Sequence, residues 1–407
     1  MDGAGPKFWR GPLKAALETY LGKRLSWRLP ERVQERLARA SQPRSLSGSP
    51  RNPSGDLALL VTHELSPSGA PRVLADIART LTDAGWRVVV VSPVDGPFRQ
   101  ILVNHGVEVF VSASALENSD VLAHLVPSAT LLLCNTIMTR RVVAEYSKAT
   151  TTVWYLHETG AIRDVVEADP VTLSAFASSA TIWCASRLVV DAVHPYHPRP
   201  KLLLLPAGAD VGFHERPPLG ETVKIGVFAS VEPRKGQDLV MEALPRVHEK
   251  VSVGFWGAVR DEVFAARLMK SVLEAPEVEY HGLLAPDALL EIFAAQDIIL
   301  IPSRDEPLSL VALEALSAGV PVVITGTCGI AEELTDGVSA FIATSATAAD
   351  IAETIERAVE QSAAWPNMAV AGRDLFDRKF AMPVFRKRLM AALDRVSDEQ
   401  GRPAPPA

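Results

Sequence analysis

Cysteine is scarce in this sequence: Cys134, Cys184 and Cys328 are the three among 407 residues, far apart and odd in number. No CxxC pair or Cys/His spacing joins them, so neither a disulfide framework nor a zinc site is supported. A reducing cytoplasm is the simpler setting. Long apolar runs are missing as well. None reaches the ~18–20 residues needed to span a bilayer, and the first residues lack the long apolar core of a signal peptide, so the expected localisation is cytoplasmic. Also absent are the GxxxxGK(S/T) phosphate loop, GxGxxG, the GxSxG nucleophile elbow and HExxH. No DxD pair occurs, and no metal ligand is assigned. What remains is chemistry by charge and backbone dipole.

At 48% hydrophobic and 22% charged residues, the chain can bury a large core, and its length favours two domains. The formal charge of −7 argues mildly against nucleic acid as a partner, but it is unevenly spread. Residues 1–55 hold eleven of the 41 Lys/Arg and four of the 48 Asp/Glu, leaving 30 against 44, or −14, for the rest. A basic appendage thus precedes an acidic body. In residues 1–40, Phe8, Trp9, Leu13, Leu17, Leu21, Leu25 and Trp27 alternate with Lys7, Arg10, Lys14, Lys23, Arg24 and Arg28, the pattern of one or two short amphipathic helices. Basic charge with aromatics is the composition of a helix on an anionic membrane surface. A helix docked on its own protein has the same composition. The Ser/Pro/Gly-rich stretch Ser41–Asp56 reads as a flexible linker, so residues 1–56 form an extension.

From Leu57 the pattern is strand, glycine loop, helix, strand: LALLVTHEL, SPSGAPR, VLADIARTLTDAG, WRVVVVSP. Continuous β-branched runs separated by helical segments predict a parallel sheet buried on both faces. Further strands are expected at Val107–Val111, Thr130–Cys134, Thr152–Leu156, Thr181–Ala185 and Lys201–Leu205, giving a doubly wound domain over 57–213. HERPPLGE, His214–Glu221, has the prolines and charge of a hinge. A second alternation over 222–385 begins with VKIGVFAS and the loop VEPRKG. Helices around Ala348–Glu360 and Pro383–Val396 close the chain, with 386–407 as C-terminal helix and tail. The fold class is therefore α/β, with two doubly wound Rossmann-like domains facing across a cleft. Ligands of such sheets bind beyond the carboxyl ends of the strands.

The stretch Pro302–Thr325, PSRDEPLSLVALEALSAGVPVVIT, joins a strand end, an acidic loop and an apolar helix. Pro307 suits a first-turn position, so the N–H groups of Leu308, Ser309, Leu310 and Val311 are expected to point out of the helix N-terminus toward an anion. Glu306 precedes the helix and Glu314 lies inside it. Lys235, in a glycine-flanked loop at a strand end, can supply a cation.

DEPLSLVALEALSAGVPVV, together with VEPRKGQDLVMEAL some seventy residues earlier, resembles the E-x7-E signature region of the family 4 retaining glycosyltransferases of GT-B fold, a likeness that runs over roughly 57–396. The resemblance implies that Lys235 contacts the phosphates of a UDP- or GDP-sugar donor, that Glu314 accepts hydrogen bonds from its ribose hydroxyls, and that Glu306 sits near its sugar. Where the family usually has an arginine, five residues before the lysine, this chain has Ser230; Arg234 is the candidate to replace that charge. His157, just past a buried strand in TTVWYLHETG, falls where the family has a histidine that hydrogen-bonds the transferred sugar. Gly69, in THELSPSGAPR, falls in the glycine loop that lets backbone approach the ligand. VEYHGLL resembles the segment whose backbone contacts the nucleobase, placing His281, Gly282 and Leu283 there. LPAGAD resembles a PNGxD turn with Ala207 for Asn, WGAV a glycine loop, and Glu332 in CGIAEELTDG falls near the donor loop.

The activity so implied is metal-independent, hexosyltransferase-like transfer with retention of configuration by front-face attack, in which the leaving phosphate oxygen takes the acceptor proton. The acceptor is a glycan, lipid-linked or small molecule, as in cell-surface polysaccharide biosynthesis, and no cofactor is permanently bound. A GT-B sugar-nucleotide epimerase or a catalytically silent sugar-nucleotide-binding scaffold are the alternative readings, the latter kept open by Ser230 and Ala207.

Overall fold

A computed structural model describes residues 47–117, 120–203, 210–213, 219–284 and 289–399. The expected N-terminal amphipathic helices, the LPAGAD turn before Asp210 and the hinge residues 214–218 lie outside the described residues. Both sheets below belong to a single compact unit.

The first sheet has seven strands: β1 Leu57–Val61, β2 Arg87–Ser92, β3 Glu108–Val111, β4 Ala129–Asn135, β5 Thr151–Leu156, β6 Thr181–Cys184 and β7 Lys201–Leu202. Their order is β3-β2-β1-β4-β5-β6-β7, and all pairings are parallel. The second sheet has six: β8 Val223–Phe228, β9 Val251–Trp256, β10 Val278–Gly282, β11 Ile298–Ile301, β12 Val322–Thr325 and β13 Phe341–Ala343. Their order is β10-β9-β8-β11-β12-β13, again all parallel. Runs such as VVVV in β2 are buried throughout because helices cover both faces of each sheet. Chain direction across the sheet reverses between β1 and β4 in one lobe and between β8 and β11 in the other. Crevices open at such switch points.

Three helices position the site and its lobes: α1 Gly69–Asp83, α2 Leu310–Ala318 and α3 Met382–Glu399. Phe385, Leu389, Ala392, Leu393 and Val396 of α3 join the core of the first lobe, beside Leu74, Ala78 and Tyr155. The chain thus returns from the second lobe to finish on the first.

The structure departs from expectation in three places. The stretch read as a flexible linker is fixed from Ser47 onward: Ser47 bridges Val109 at the free edge of β3, and Asn52 Nδ2 donates to the carbonyls of Thr82 and Trp86 at the end of α1. Thr82 belongs to the last turn of α1 and Trp86 to the segment that leads into β2, so one side-chain amide ties this stretch to both. A helix over Trp365–Lys379 was not anticipated, because Pro366 and Gly372 interrupt its pattern. Pro366 sits in the first turn, where a missing N–H costs nothing. A Cβ at Gly372 would stand 2.9 Å from Leu316 Cδ2, so the glycine allows this helix to lie close on α2. The third departure concerns the start of α2, which begins at Leu310, three residues after Pro307.

Candidate active site

The loop at the carboxyl end of β11 faces that after β5, through Asp305 and Thr159, and the loop after β9 faces that after β1, through Arg260 and Ser66. In the loop after β8, Gly236 has φ 71° and a Cβ there would collide with Pro302 O at 2.1 Å; only glycine lets the two switch-point loops approach so closely. That approach brings Lys235 Nζ onto Glu306 Oε2, with both side chains 14% exposed. Arg234 follows: Nη1 donates to Asp305 O at 3.0 Å and stands 3.6 Å from Glu306 Oε2. Ser230 supplies no charge and is engaged locally, its hydroxyl donating to Glu232 Oε1 at 2.6 Å. Glu306 itself is fixed through its backbone, which bridges Cys328, its carbonyl accepting from Gly329 N at 2.7 Å. Two cations and one carboxylate therefore meet at the second switch point.

Pro307 and Leu308 lie before α2, not in it, and this corrects the expected N-terminus. Ser309 is the N-cap, with φ 79° and ψ 97°, and its hydroxyl accepts from Ala312 N at 3.3 Å. Serine is among the better cap residues because its side chain satisfies a donor that the helix leaves unpaired, and proline lacks any such group. Leu310 and Val311 supply the first-turn N–H groups, while Leu308 is buried in the second-lobe core. Glu314, one turn into α2, is 3% exposed. Its Oε1 accepts from Arg72 Nη1 of α1 at 2.7 Å, an ion pair between the lobes. Gly69 opens α1 and faces Leu310, whose Cδ1 lies 3.8 Å from where a Cβ would stand, so side-chain bulk is not excluded there.

On the first lobe, His157 follows β5 and its Nε2 lies 2.8 Å from Asn135 Oδ1. Asn135 Nδ2 donates to Ala70 O at 3.0 Å, so Oδ1 is the acceptor and His157 carries its proton on Nε2. Burial, reinforced by His63, brings the His157 imidazole down to about 3, which makes it neutral near pH 7. His63, after β1, is likewise lowered by burial, against Glu64. Its Nδ1 lies 3.1 Å from Thr136 Oγ1. Thr136 has φ 76° and ψ 161°, a conformation that side chains strongly disfavour. Glu158 spans this turn: both its oxygens stand 3.2 Å from Ile137 N, and Oε2 also accepts from His157 N at 3.1 Å. Burial pushes its carboxyl up to about 7, opposed by the N–H groups of His157, Ile137 and Glu158 itself.

Thr159 Oγ1 donates to Asp305 Oδ1 and so ties this loop to the one carrying Glu306. Beside that contact a cavity of about 630 Å³ opens between the lobes, lined among others by Gly160, Arg163, Asp191, Tyr196 and Arg304. On the far side of the β8 loop, Phe228, Trp256 and His281 stack at 4.7 Å and 4.4 Å between ring centroids. Gly282 has φ 77° and Leu283 is 72% exposed.

The structure thus brings Lys235, Arg234 and Glu306 together, sets Glu314 of α2 against Arg72 of α1, and holds His157 against Asn135 on the first lobe. Glu332 lies in the turn Gly329–Glu333, whose Gly329 N donates to Glu306 O, and its exposed side chain senses Arg187 and Asp191 of the first lobe. Sequence reasoning missed Arg72, Asp305, His63, Asn135 and Glu158. The last three share one signal, a polar residue at or just beyond the end of a buried strand. Among the described residues no group of three or more His, Cys, Asp or Glu is arranged to hold a metal, and no helix is long and apolar enough to cross a membrane.

Residues 54–179 match the family model described as Glycosyl-transferase family 4, and residues 214–374 the one described as Glycosyl transferases group 1. A glycogen synthase of Hydrogenovibrio crunogenus is 31% identical over 126 residues, 30% of this chain and 25% of that protein. A GDP-mannose-dependent alpha-(1-6)-phosphatidylinositol monomannoside mannosyltransferase of Mycobacterium tuberculosis is 26% identical over 200 residues, 44% of this chain and 52% of that protein. The matched stretches span a quarter to about half of these relatives. Among solved structures, HepE of Anabaena in complex with UDP and glucose has a TM-score of 0.72 at 21% identity, covering 84% of this chain and 100% of that one, a likeness of fold. With both lobes matched by models of the same enzyme class and the switch-point loops paired as described, the chain belongs to glycosyltransferase family 4 and has the GT-B fold.

Proposed function

We propose that the protein is a retaining glycosyltransferase that moves a sugar from a nucleoside-diphosphate donor to a glycan or lipid-linked acceptor. The observation that carries this reading is the convergence of Lys235 and Arg234 on Glu306 at the β8/β11 switch point, with Glu314 one turn inside α2. As the donor bond breaks, negative charge builds on the diphosphate. Lys235, Arg234 and the N–H groups of Leu310 and Val311 are the fixed positive groups that stabilise it. Arg234 takes the place of the cation missing at Ser230. The carboxylate of Glu314 acts only as an acceptor, which suits the vicinal hydroxyls of a ribose. Glu306, already paired with Lys235, orients the donor sugar and is not assigned as a nucleophile; the leaving phosphate oxygen takes the acceptor proton. A neutral His157 hydrogen-bonds the sugar without adding a cation.

The exposed edge of His281, stacked on Trp256, together with the backbone of Gly282 and Leu283, receives the base. HepE was solved with UDP-glucose, whereas the mycobacterial relative is named for GDP-mannose, so the base and sugar are set by experiment. The cavity beside Thr159 and Asp305 has room for part of the acceptor. Residues 1–40 hold the enzyme at an anionic membrane where the acceptor is lipid-linked; unchanged vesicle binding after their deletion contradicts that role.

A nucleotide-sugar panel read by thermal shift identifies the donor, since a ligand that binds only the folded state raises its stability. Transfer to an acceptor series follows. Lys235→Ala and Glu314→Ala each lower turnover at least about tenfold, about 1.4 kcal/mol of barrier. Wild-type rates in either variant contradict the site.

A further inference from the structure

We infer that Glu158 is a positioning residue whose carboxylate form sets the acceptor-side face of the cleft, so that transfer is lost when it takes up a proton. The inference rests on the transferase reading above.

Two loops of the first lobe, those after β4 and β5, meet at this residue, and the loop after β1 joins them through His63 and Thr136. Thr136 is held with φ 76° and ψ 161°, a strained state that persists only where surrounding contacts over-determine it. The contacts are here: Trp154 Nε1 donates to Thr136 O at 2.9 Å, Thr136 N donates to Tyr155 O at 2.8 Å, and Glu158 accepts from the next amide, Ile137 N, on both oxygens. The same carboxylate accepts from His157 N. Glu158 therefore clamps the turn after β4 to the loop after β5. That clamp aims Asn135 at His157 and the Thr136 hydroxyl at His63.

Carboxylate and carboxylic acid differ in what they accept. The ionised group receives both amides on oxygen lone pairs, whereas the acid turns one oxygen into a donor facing N–H groups. Protonation therefore loosens the clamp, and the strained Thr136 backbone can relax. Burial places that event near neutrality, where pH controls it. The neighbouring titratable groups are His63 and Glu64 from the loop after β1, His157 on its own loop, and Asp305 from the second lobe through Thr159. Beyond Ile137, Arg140 and Arg141 are already paired with Asp169. No charged side chain contributes to the Glu158 shift, which is set by burial and backbone N–H groups.

The test is the pH dependence of transfer by the full chain between pH 5.5 and 8.5, with the donor and acceptor found by the panel, for wild type and Glu158→Gln. Glutamine keeps the shape and one acceptor oxygen but cannot titrate. Wild-type kcat falls about tenfold per pH unit below the Glu158 transition. In Glu158→Gln that acid limb disappears and kcat above pH 7.5 drops about tenfold, while donor KM stays within about twofold because the donor lies on the other lobe. A purely structural role lowers stability and leaves the limb in place. An unchanged limb, or an equal loss in donor KM, overturns the inference. A second reading needs neither a fold-tolerant variant nor activity: carbon-13 NMR of the wild-type glutamate carboxyls and histidine rings. One carboxyl titrating near neutrality, with His157 and His63 resonances moving in step, supports the clamp; ordinary titration of all glutamates overturns it. Absence of transfer from every donor defeats the functional reading alone, and the NMR result still decides on Glu158.

Discussion

His157 and Glu158 are neighbours in the chain with opposite proton linkage. The folded His157 imidazole titrates far below the unfolded value of 6.5, so as pH falls below 6.5 the unfolded chain binds the proton first and stability is lost. The folded Glu158 carboxyl titrates above its unfolded value of 4.5, so the native state binds more protons between those limits. Stability rises as pH falls from about 7 toward 4.5. Across pH 7 to 5 the two oppose each other. Urea midpoints separate them: relative to wild type, His157→Gln gains stability as pH is lowered over this window, and Glu158→Gln loses it. Parallel curves for the three proteins contradict the assignment. His157 was legible in the sequence because a histidine just past a buried strand stands out against the apolar run of β5. Glu158 and Asn135 carry the same strand-end signal, but what they do depends on backbone and side-chain partners supplied by other loops. Arg72 was hidden for a stronger reason: its partner Glu314 is 242 residues away, and no local pattern encodes such a pairing.

At the scale of elements, parallel strands announce themselves by unbroken β-branched runs, and the strands expected from LALLV, RVVVVS and VVIT form as read. Helix starts are less legible. Proline at 307 and serine at 309 compete to begin α2, and the serine wins because its hydroxyl caps Ala312 N at the expense of a positive φ. The two contributions separate by mutation. Ser309→Ala keeps the strained backbone and loses the cap, costing about 1 kcal/mol, a fall in Tm of about 1–2 °C for a chain of this size. Ser309→Gly loses the cap but relieves the strain, so its Tm stays at or above that of wild type. The reverse order of the two variants refutes this account of the helix start. For α3, the apolar spacing of Phe385, Leu389, Leu393 and Val396 shows a buried face but does not say against what. The lobe it joins is decided by tertiary packing.

Across the whole molecule, the two lobes meet, among the described residues, at polar points that include Arg72 with Glu314, Thr159 with Asp305, and Ser66 with Arg260. Each joins a loop or helix start of the first lobe to a switch-point element or neighbouring loop of the second. The alternating pattern predicted two doubly wound domains and a cleft; the partners across that cleft are a property of how they dock. On the proposed function, this cleft binds a nucleoside diphosphate with its ribose on Glu314. The most direct test is calorimetric titration of wild type and Glu314→Gln with the preferred nucleoside diphosphate and its 2′,3′-dideoxy counterpart. Hydrogen bonds to a charged acceptor contribute about 1.5–3 kcal/mol. Wild type should therefore bind the ribonucleotide at least about tenfold more tightly than the dideoxy form, and Glu314→Gln should bind the two nearly equally. Equal affinity of the wild type for both, or discrimination retained in the variant, would contradict it.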